Sequence, residues 1–587
     1  MRDLKADIAT LREAGILEAV DARFASALGR LAGVADDEVL LGAALACRAP
    51  RYGHVAVDLE ALAQSLRRED GAGAEAFIWP EAAPWAERIA ASSLAQGDGA
   101  PLVVEDRRVY LRRYHEDEVR LAEMLKARAA TRPDGVDENA LQRALERYFP
   151  ADENEPENLR RRAARMAAEH CLAVISGGPG TGKTSSVVRI LALLGELLRG
   201  SGRPLRARLL APTGKAAARL GETVRAAKRA RAIPIPEEIL PLLPEEAQTV
   251  HRALGTAPES RGRFLHGADH PLAADIVVVD EASMVDLPLM RRLVEAVPPS
   301  ARLILLGDRD QLASVEAGAV LGDLFAAGQR GPLGACLTHL TRSLRFAEDS
   351  GIRALARAIQ EQDTPRAMEI LHGGLRDVEW VEFDGEAGFA RALRERLVQS
   401  FRPAVMERDP QRALENLSRF RVLTAHRRGR LGAAGLNALI ESWLAAAGLA
   451  HQDREYAGRP VLVGANDYGA GLFNGDMGVL LPEPENAGWN AVFQGRMSDP
   501  PRKFAPARLP SPETAWAMTI HKSQGSEFAE VLAVMDRPSP ILTRELLYTA
   551  LTRASRKVTL ACPRAALASA LAQRVSRTSG LAKRLSG

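Results

Sequence analysis

The sequence predicts an α/β protein with parallel sheets, in which buried strands lead into polar loops and then into helices. Three observations support this fold class. The apolar run Leu172–Ile175 passes into a glycine-rich loop, which the helical pattern Val187–Leu198 follows. A second apolar run, Ile276–Val279, is typical of a buried strand and ends in two acidic residues. Two shorter runs, Leu209–Leu210 and Leu305–Leu306, also end in polar segments.

The glycine-rich loop reads G-x-x-x-x-G-K-T and indicates a nucleoside triphosphatase. Its glycines let backbone N–H groups turn toward phosphates, Lys183 adds a compact positive charge, and the Thr184 hydroxyl is a ligand for Mg²⁺. The strand before the loop and the helix after it give the context that the motif requires. The expected phosphate-binding residues are Gly177, Gly178, Pro179, Gly180, Thr181, Gly182, Lys183 and Thr184.

An acidic pair follows the strand Ile276–Val279. Asp280 is expected to bind Mg²⁺ together with Thr184, directly or through water. Glu281 would orient or deprotonate the attacking water, which favours hydrolysis over phosphoryl transfer to another molecule. Taken alone, the pair could also be an acidic N-cap after a core strand.

Length and composition limit the remaining possibilities. A chain of 587 residues is too long for one hydrophobic core and predicts about three to five domains. Hydrophobic residues make up 46% of the chain, as in globular proteins. The formal net charge is only +3, so any surface that binds nucleic acid must be local.

The cysteines and the apolar runs bear on location. The cysteines are far apart and form no C-x-x-C pair, so the sequence indicates no zinc site, iron–sulfur cluster or disulfide framework, which fits a reducing cytoplasm. The start of the chain lacks the apolar core of a signal peptide, and no run reaches about 18 apolar residues. We therefore expect a cytoplasmic protein without a membrane segment. The four cysteines are Cys47, Cys171, Cys336 and Cys562.

Five further segments follow in a characteristic order: Ala211–Leu220, Leu305–Leu312, Thr341–Phe346, Ala517–Glu527 and Leu547–Ala554. With the two nucleotide motifs they resemble the RecD branch of the superfamily 1 DNA helicases. The resemblance implies two RecA-like motor domains that close on ATP and Mg²⁺ and move 5′-to-3′ along single-stranded DNA.

The resemblance also assigns roles to individual residues. Gln311 matches the sensor that reports the γ-phosphate to the DNA site, and Arg345 and Arg553 match arginine fingers. Each of these arginines alone could be a surface ion pair. The implied contacts to DNA are independent of sequence, and His251 and His521 alone could be ordinary helix or loop histidines. The DNA-contacting residues are expected to be Pro212, Thr213, Lys215, Thr249, His251, Thr519, His521, Lys522, Ser523 and Gln524.

One departure from the family concerns the base of the nucleotide. The family commonly has a glutamine about 17 residues before the first phosphate-loop glycine, where it reads adenine. Here the stretch Glu157–Arg162 has no glutamine, so Arg160 or a neighbour is expected to stack on the base instead.

The pattern along the chain divides it into regions. A hairpin-like edge pair is predicted at Leu102–Glu105 and Arg108–Leu111, and Asn474–Gly475 is a hairpin signal. The expected division is a helical, partner-docking domain over residues 1–115, a helical linker over 116–150, a motor domain over 151–345 with a wedge-like insertion at 222–270, and a second motor domain over 346–587 with an SH3-like insertion at 452–512. For residues 222–270, a mobile loop is the alternative.

The resemblance covers essentially the whole chain and favours a subunit of a RecBCD-type helicase–nuclease, acting in double-strand break repair and DNA degradation. RecB-like and RecC-like subunits are the implied partners. No nuclease motif is present outside the ATP site. Two alternatives stay open: a stand-alone RecD-like helicase, and a binding module whose ATPase only controls assembly. Two apolar stripes, formed by Leu40, Leu41 and Leu45 and by Leu59, Leu62 and Leu66, must be buried internally or against a partner. The resemblance makes docking to the RecC-like subunit the expected role, and a self-contained domain that only buttresses the motor is the alternative.

Overall fold

The structure is a computed structural model of the 587-residue chain. It describes residues 4–70, 77–133, 136–151, 158–200, 202, 205–231, 233–255, 264–328, 331–451, 455–467, 469–483, 488–495 and 500–587. Glu157 and residues 256–263 of the predicted wedge lie outside the described residues.

The amino-terminal region is a helical unit with a small antiparallel sheet. The predicted edge pair is confirmed, because Leu102–Glu105 and Arg108–Leu111 pair antiparallel and Ala56–Asp58 joins their sheet. The elements are β1 (Leu4–Lys5), α1 (Ile8–Glu13), α2 (Ala19–Ala32), α3 (Asp37–Arg48), β2 (Ala56–Asp58), α4 (Leu62–Asp70), β3 (Phe77–Ile78), α5 (Ala82–Ala91), β4 (Leu102–Glu105) and β5 (Arg108–Leu111).

The two predicted apolar stripes lie inside this unit. Five of the six leucines are buried in its own core, and Leu40 packs against that core from a partly buried position. The prediction that these stripes form a docking surface is therefore wrong: their apolar area is already removed from water within the unit. The buried leucines are Leu41, Leu45, Leu59, Leu62 and Leu66.

The first motor domain contains a parallel sheet of six strands in the order β11-β6-β10-β9-β7-β8. Its central strands are fully buried and covered by helices on both faces, which explains their nearly continuous apolar sequences. The elements are α6 (Arg112–Ala130), α7 (Glu138–Tyr148), α8 (Leu159–Glu169), β6 (Leu172–Gly177), α9 (Lys183–Gly200), β7 (Ala207–Ala211), α10 (Gly214–Ala230), β8 (Ala247–Thr249), α11 (Val250–Leu254), β9 (Ile276–Val279), α12 (Leu287–Ala296), β10 (Arg302–Gly307), α13 (Val320–Ala327) and β11 (Leu337–Leu340).

The second motor domain has a parallel sheet of five strands in the order β12-β21-β20-β13-β19, and a separate antiparallel sheet in the order β17-β16-β15-β14-β18. The elements are α14 (Gly351–Gln360), α15 (Thr364–His372), β12 (Val378–Val381), α16 (Gly385–Met406), α17 (Pro410–Arg419), β13 (Phe420–Thr424), α18 (Ala433–Ala446), β14 (Pro460–Leu462), β15 (Met477–Pro482), β16 (Trp489–Phe493), β17 (Arg502–Phe504), β18 (Glu513–Thr514), β19 (Ala517–Thr519), β20 (Phe528–Val534), α19 (Arg544–Leu551), β21 (Ala554–Ala561), α20 (Arg564–Ala572) and α21 (Leu581–Ser586).

The two parallel sheets confirm the predicted α/β class. The antiparallel sheet lies where the β insertion is predicted, and its likeness to an SH3 barrel stays a prediction. Asn474 and Gly475 form a turn in which the Asp476 N–H donates to the Phe473 carbonyl at 2.9 Å. This turn lies late in the connection between β14 and β15 and does not join the two strands by itself.

Two segments depart from the predicted division. Within the described part of residues 222–270, α10 continues to Ala230 and β8 is an edge strand of the first motor sheet, so these two elements belong to the first motor domain. The carboxyl-terminal helix α21 packs on α6 and α13 of the first motor domain, with Leu581 and Leu585 buried there. The segment that follows α20 thus crosses from the second motor domain to the first.

Candidate ATP and DNA sites

The phosphate loop joins the end of β6 to the start of α9. The Lys183 ammonium lies inside this loop, where it donates to the carbonyls of Gly177 and, at 3.0 Å, of Gly178. The Thr181 hydroxyl closes the turn by donating to the Gly178 carbonyl at 2.8 Å. The loop is thus shaped around a lysine, as a phosphate-binding loop requires.

The segment that contains Arg345 crosses the tip of the loop at Gly180. The Leu344 N–H donates to the Gly180 carbonyl at 2.7 Å. Gly180 has a φ of +78°, and a Cβ on it would lie 2.3 Å from the Cβ of Arg345. Only glycine fits here, so the backbone at the motor boundary can rest directly on the phosphate loop.

The acidic edge lies beside the loop. The Thr184 hydroxyl is 3.5 Å from an Asp280 carboxylate oxygen, and the Glu281 N–H donates to the other Asp280 oxygen at 2.9 Å. Burial, followed by the charge of Glu281, raises the pKa of Asp280 to about 6. Glu281 has a left-handed φ of 52°, a strained conformation for a residue with a side chain and one that concentrates at functional sites.

These oxygens fit a magnesium ion. No group of three or more His, Cys, Asp or Glu side chains suited to a metal occurs among the residues that the structure describes. A hydroxyl and one carboxylate are the protein ligands expected for Mg²⁺ that takes its remaining ligands from phosphates and water. Thr184 and Asp280 would hold the ion, which would neutralise phosphate charge.

The predicted sensor is tied to both motor domains. The Gln311 amide donates to Asp308 at 3.0 Å, and the Tyr548 hydroxyl of α19 donates to the same carboxylate oxygen at 3.1 Å. The backbone N–H of Leu312, the next residue, donates to the Thr549 hydroxyl at 3.2 Å. Burial raises the pKa of Asp308 and raises the pKa of Tyr548 well above its usual range.

All five predicted catalytic residues line one cleft of about 170 Å³ between the motor domains. Arg553 is buried, and its guanidinium donates to the Thr549 and Ser526 carbonyls at 3.2 Å each. Burial lowers the pKa of both Arg553 and Arg345. The five residues are Lys183, Glu281, Gln311, Arg345 and Arg553.

Sequence reasoning missed one side chain of this cleft. Arg219 donates to the Gly525 carbonyl at 3.2 Å and to Glu527 at 3.0 Å, which links α10 to the second motor domain. Its spacing of four residues from Lys215 places both on the same face of α10, and this signal was available in the sequence.

Some of the predicted DNA contacts lie on accessible surface. Pro212 and Thr213 are partly exposed at the start of α10, and His251 is exposed at the start of α11 with its ring 6.0 Å from that of Phe264. Thr519, His521 and Lys522 are partly exposed at the end of β19. Burial lowers the pKa of His521, and the charge of Arg577 acts in the same direction.

The other predicted contacts are engaged inside the protein. Ser523 is fully buried and donates to the Ile520 carbonyl at 2.7 Å, so its side chain does not face this surface. Gln524 donates to the Leu312 carbonyl at 3.3 Å, and the buried Thr249 hydroxyl caps α11 by accepting from the Arg252 N–H at 3.2 Å. These side chains hold the segments together.

Lys215 also points into an interface. Its ammonium donates to the Ser526 hydroxyl at 2.7 Å, and burial lowers its pKa to about 8. The ring of Phe473, in the loop between β14 and β15, lies 2.3 Å from where a Cβ on Gly214 would be. Three regions therefore meet at the start of α10: the first motor domain, the second, and the antiparallel sheet.

Comparison with known proteins identifies the family. The chain is 41% identical to RecBCD enzyme subunit RecD of Mycobacterium tuberculosis over 98% of this chain and 96% of that protein. The chain belongs to the RecD family. Its other relatives include the RecBCD enzyme subunit RecD of Haemophilus influenzae, 33% identical over 83% of this chain and 81% of that protein. The ATP-dependent RecD2 DNA helicase of Deinococcus radiodurans is 31% identical over 85% of this chain but only 60% of its own length.

Four family models match parts of this RecD-family chain, and one of them, over residues 67–176, describes a protein of unknown function. Another is described as the N-terminal domain of RecBCD enzyme subunit RecD and matches residues 13–110. An AAA domain matches residues 160–317, which include Lys183, Glu281 and Gln311. A UvrD-like helicase C-terminal domain matches residues 514–561, which include His521 and Arg553.

Among solved structures, Bacteroides Pif1 bound to single-stranded DNA covers 69% of the chain at 17% identity, with a TM-score of 0.38 over 91% of that structure. No helix in the described part of this RecD-family chain is both long enough and apolar enough to span a membrane.

Proposed function

We propose that this chain is an ATP-driven 5′-to-3′ translocase on single-stranded DNA and the motor subunit of a RecBCD-type helicase–nuclease. ATP-dependent DNA helicase activity follows from its membership of the RecD family and its helicase domains. Beyond that activity, we propose the direction of movement, the roles of individual residues and the partner subunits. We place the protein in the cytoplasm.

The cleft shared by the two motor domains supports this proposal. Lys183 and Glu281 come from the first motor domain, whereas Arg553 comes from the second, and all three line the same cavity. A ligand with several negative charges would be held by both domains at once. Because the two domains contribute opposite walls, binding and hydrolysis change the distance between them, which is what a stepping motor needs.

Within the cleft the side chains divide the work. Lys183 and the loop N–H groups bind the β- and γ-phosphates, and Glu281 orients the water that attacks the γ-phosphorus. Arg345 and Arg553 stabilise charge that develops on the transferred group. Gln311 contacts the γ-phosphate. A shift of Gln311 would then move α19, because the N–H of the adjacent Leu312 is hydrogen-bonded to Thr549 of that helix.

The base of the nucleotide would lie beside Gly182. One Arg160 guanidinium nitrogen lies 3.9 Å from where a Cβ on Gly182 would be, and a terminal methyl carbon of Leu344 lies 3.1 Å from it. Leu344 is 54% exposed although it is apolar, which suits a surface that a flat ring covers. Stacking between Arg160 and Leu344 makes no base-specific hydrogen bond, so we propose only weak discrimination between ATP and GTP.

For DNA we propose a sequence-independent track along Pro212, Thr213, His251, Thr519, His521 and Lys522. We assign Lys215, Thr249, Ser523 and Gln524 to coupling and packing, because their side chains are bonded inside the protein. Hydroxyl, imidazole and ammonium groups suit contacts to phosphates, which carry no sequence information.

The test uses the full chain, mixed-sequence single-stranded DNA and duplexes with a 5′ or a 3′ tail. We expect DNA to stimulate ATP hydrolysis whatever its sequence, and we expect unwinding of the 5′-tailed duplex only. Lys183→Ala should nearly abolish hydrolysis, whereas Glu281→Gln should still bind nucleotide. Preferential unwinding of the 3′-tailed duplex would reverse the direction, and hydrolysis without any strand movement would support the assembly-control alternative.

We propose RecB-like and RecC-like subunits as partners because proteins named as RecD subunits of the RecBCD enzyme match almost the whole chain. The matching experiment is co-purification with untagged RecB-like and RecC-like proteins. A chain that remains monomeric in their presence and still unwinds DNA would favour the stand-alone helicase.

A further inference from the structure

The segment Tyr52–Val55 carries no catalytic chemistry, yet the structure places it where three parts of the chain meet. It follows α3 in the amino-terminal unit and contacts the first motor domain, since the Gly318 N–H donates to the Gly53 carbonyl at 2.9 Å. It also contacts the carboxyl-terminal segment, because the Val55 N–H donates to the Thr578 carbonyl at 2.8 Å.

Arg577 is at the centre of this junction. One terminal nitrogen of its guanidinium donates to the Tyr52 carbonyl at 3.2 Å, and the other donates to the Ser314 carbonyl at 2.9 Å. Its described partners are thus two carbonyls, from the amino-terminal unit and from the first motor domain. Burial lowers its pKa, and its charge acts on His521 in the predicted DNA track.

Gly53 makes this contact possible. Its φ is +78°, and a Cβ on it would lie 0.7 Å from the Arg577 nitrogen. The guanidinium therefore lies directly on the Gly53 backbone, and no other residue type leaves room for it.

The junction is anchored on both sides of Arg577. On one side, the Thr578 N–H donates to His54 Nδ1 at 2.9 Å, and His54 Nε2 lies 2.9 Å from Glu69. On the other side, the buried Glu118 carboxylate accepts from the Gly580 N–H and from the Arg584 Nε, each at 2.9 Å. Anchors of this kind fix where the Arg577 side chain points.

Arg577 is hydrogen-bonded to the loop Gln311–Gly318 through the Ser314 carbonyl. At one end this loop carries Gln311 in the ATP cleft, and further along it carries Val315, which is 74% exposed. Four segments beyond the first motor domain bind its backbone: the Thr549 hydroxyl and the Gln524 amide at Leu312, Arg577 at Ser314, and the Gly53 carbonyl at Gly318. The loop is therefore fixed to α19, to the segment containing His521, to the carboxyl-terminal segment and to the amino-terminal unit.

We infer that Arg577 is a positioning residue that couples the DNA track to the ATP cleft by holding the loop Gln311–Gly318 against the amino-terminal unit. This inference rests on the proposed function of the cleft. Arg577 touches neither Lys183 nor Glu281, so it acts through the backbone of Ser314. Its planar fork bridges two carbonyls at once, which a lysine ammonium on a flexible stem does less well.

The experiment measures steady-state ATP hydrolysis by the full chain with and without mixed-sequence single-stranded DNA. Two variants disrupt the contact in different ways. Arg577→Gln removes the guanidinium, and Gly53→Ala adds a methyl group that displaces it. We expect each variant to reduce the stimulation of hydrolysis by DNA about fivefold or more, which is the lower end of the range for coupling between two sites. The rate of hydrolysis without DNA should stay within about twofold of the rate of the unmodified chain. Arg577→Lys should restore only part of the stimulation.

Two controls separate coupling from folding. Gly33→Ala introduces the same backbone strain, because Gly33 has a φ of +67°, but the added Cβ would have no atom within 4 Å. Arg574→Gln removes another arginine of the carboxyl-terminal segment, one whose side chain is 73% exposed. Both should keep full stimulation. Unchanged stimulation in Arg577→Gln and Gly53→Ala overturns the inference, as does an equal loss of hydrolysis with and without DNA. Absence of DNA stimulation in the unmodified chain would instead count against the proposed function.

Discussion

Arg345 and Glu527 form an ion pair across the ATP cleft, with a guanidinium nitrogen 2.5 Å from a carboxylate oxygen. The same oxygen accepts a hydrogen bond from Arg219 at 3.0 Å. Arg345, which we propose as an arginine finger, is thus held by a carboxylate in this structure, and in that role it would exchange the carboxylate for a phosphate before assisting hydrolysis. Arg219 remains as a partner for Glu527 when Arg345 leaves.

We therefore predict that Glu527→Gln accelerates hydrolysis without DNA. A partly exposed ion pair is worth about 0.2–1 kcal/mol, which corresponds to an increase of up to about fivefold. Initial-rate assays without DNA measure the effect, and Glu530→Gln, on the strand β20 that begins directly after Glu527, is the control. A slower rate without DNA would show that Glu527 assists the reaction and does not restrain Arg345.

Replacing an arginine finger should affect the rate far more than nucleotide affinity. We expect Arg345→Ala to lower kcat by about 10³-fold or more with little change in ATP affinity, because the contact forms in the transition state. Arg553→Ala should behave likewise, with a lower melting temperature because Arg553 also bonds two buried carbonyls. Arg342→Ala is the matched control, since Arg342 lines the neighbouring cavity. Equal losses of kcat and affinity for Arg345→Ala would indicate a structural role.

The parts of the site that short motifs specify could be predicted from sequence. The phosphate loop, the acidic pair and the buried strands depend on local sequence, so their positions follow from the chain alone. Whether a side chain faces a partner or its own domain depends on packing between distant segments. The leucine stripes illustrate this, because leucines at helical spacing look the same in the sequence whether they pack against their own domain or against a partner protein. Arg577 carries no motif, and only the tertiary structure brings it to Gly53.

The division between track residues and packing residues can be tested on two adjacent positions. Lys522→Ala should weaken binding of single-stranded DNA for all sequences and reduce the salt dependence by about 0.7 in the slope of log K against log salt, as expected for one phosphate contact. Ser523→Ala is the control, because its hydroxyl is buried and bonded to the Ile520 carbonyl. Fluorescence anisotropy over a salt series measures both. Loss of the same slope in Ser523→Ala would place Ser523 on the track.

The amino-terminal unit should lose stability in acid through Glu69. Burial would raise the pKa of this carboxyl, but hydrogen bonding to His54 and the charge of Arg48 outweigh burial and lower it from 4.5 to about 2. Because the folded pKa is lower than the unfolded one, the stabilisation is present above pH 4.5 and is lost as the pH falls toward about 2. Its size is on the order of 3 kcal/mol.

Glu69→Gln should therefore lower the unfolding free energy near neutral pH and flatten its decline in acid. Urea unfolding followed from about pH 7 to about pH 3 measures both effects. Glu60→Gln is the control, since its side chain is 69% exposed. An unchanged acid profile in Glu69→Gln would show that Glu69 does not provide this stabilisation.

We expect a partner to dock on helix α2 of the amino-terminal unit. The leucine stripes are internal, but α2 exposes Val20 by 52% and Leu31 by 86%. These residues are 11 positions apart, close to three helical turns, so they lie on one face of α2. We propose that this face binds the RecC-like subunit, because a partner covering it would remove the exposed apolar side chains of Val20 and Leu31 from water.

Leu31→Glu should then weaken assembly with RecB-like and RecC-like proteins by about tenfold or more, because burying a leucine is worth roughly 1.5–3 kcal/mol. DNA-stimulated hydrolysis by the isolated chain should be unchanged. Met406→Glu is the matched control, because Met406 is 56% exposed on the second motor domain. Titration of the complex by size-exclusion chromatography compares the two variants. If Leu31→Glu assembles normally while Met406→Glu does not, the docking surface lies on the motor and α2 serves only the amino-terminal unit itself.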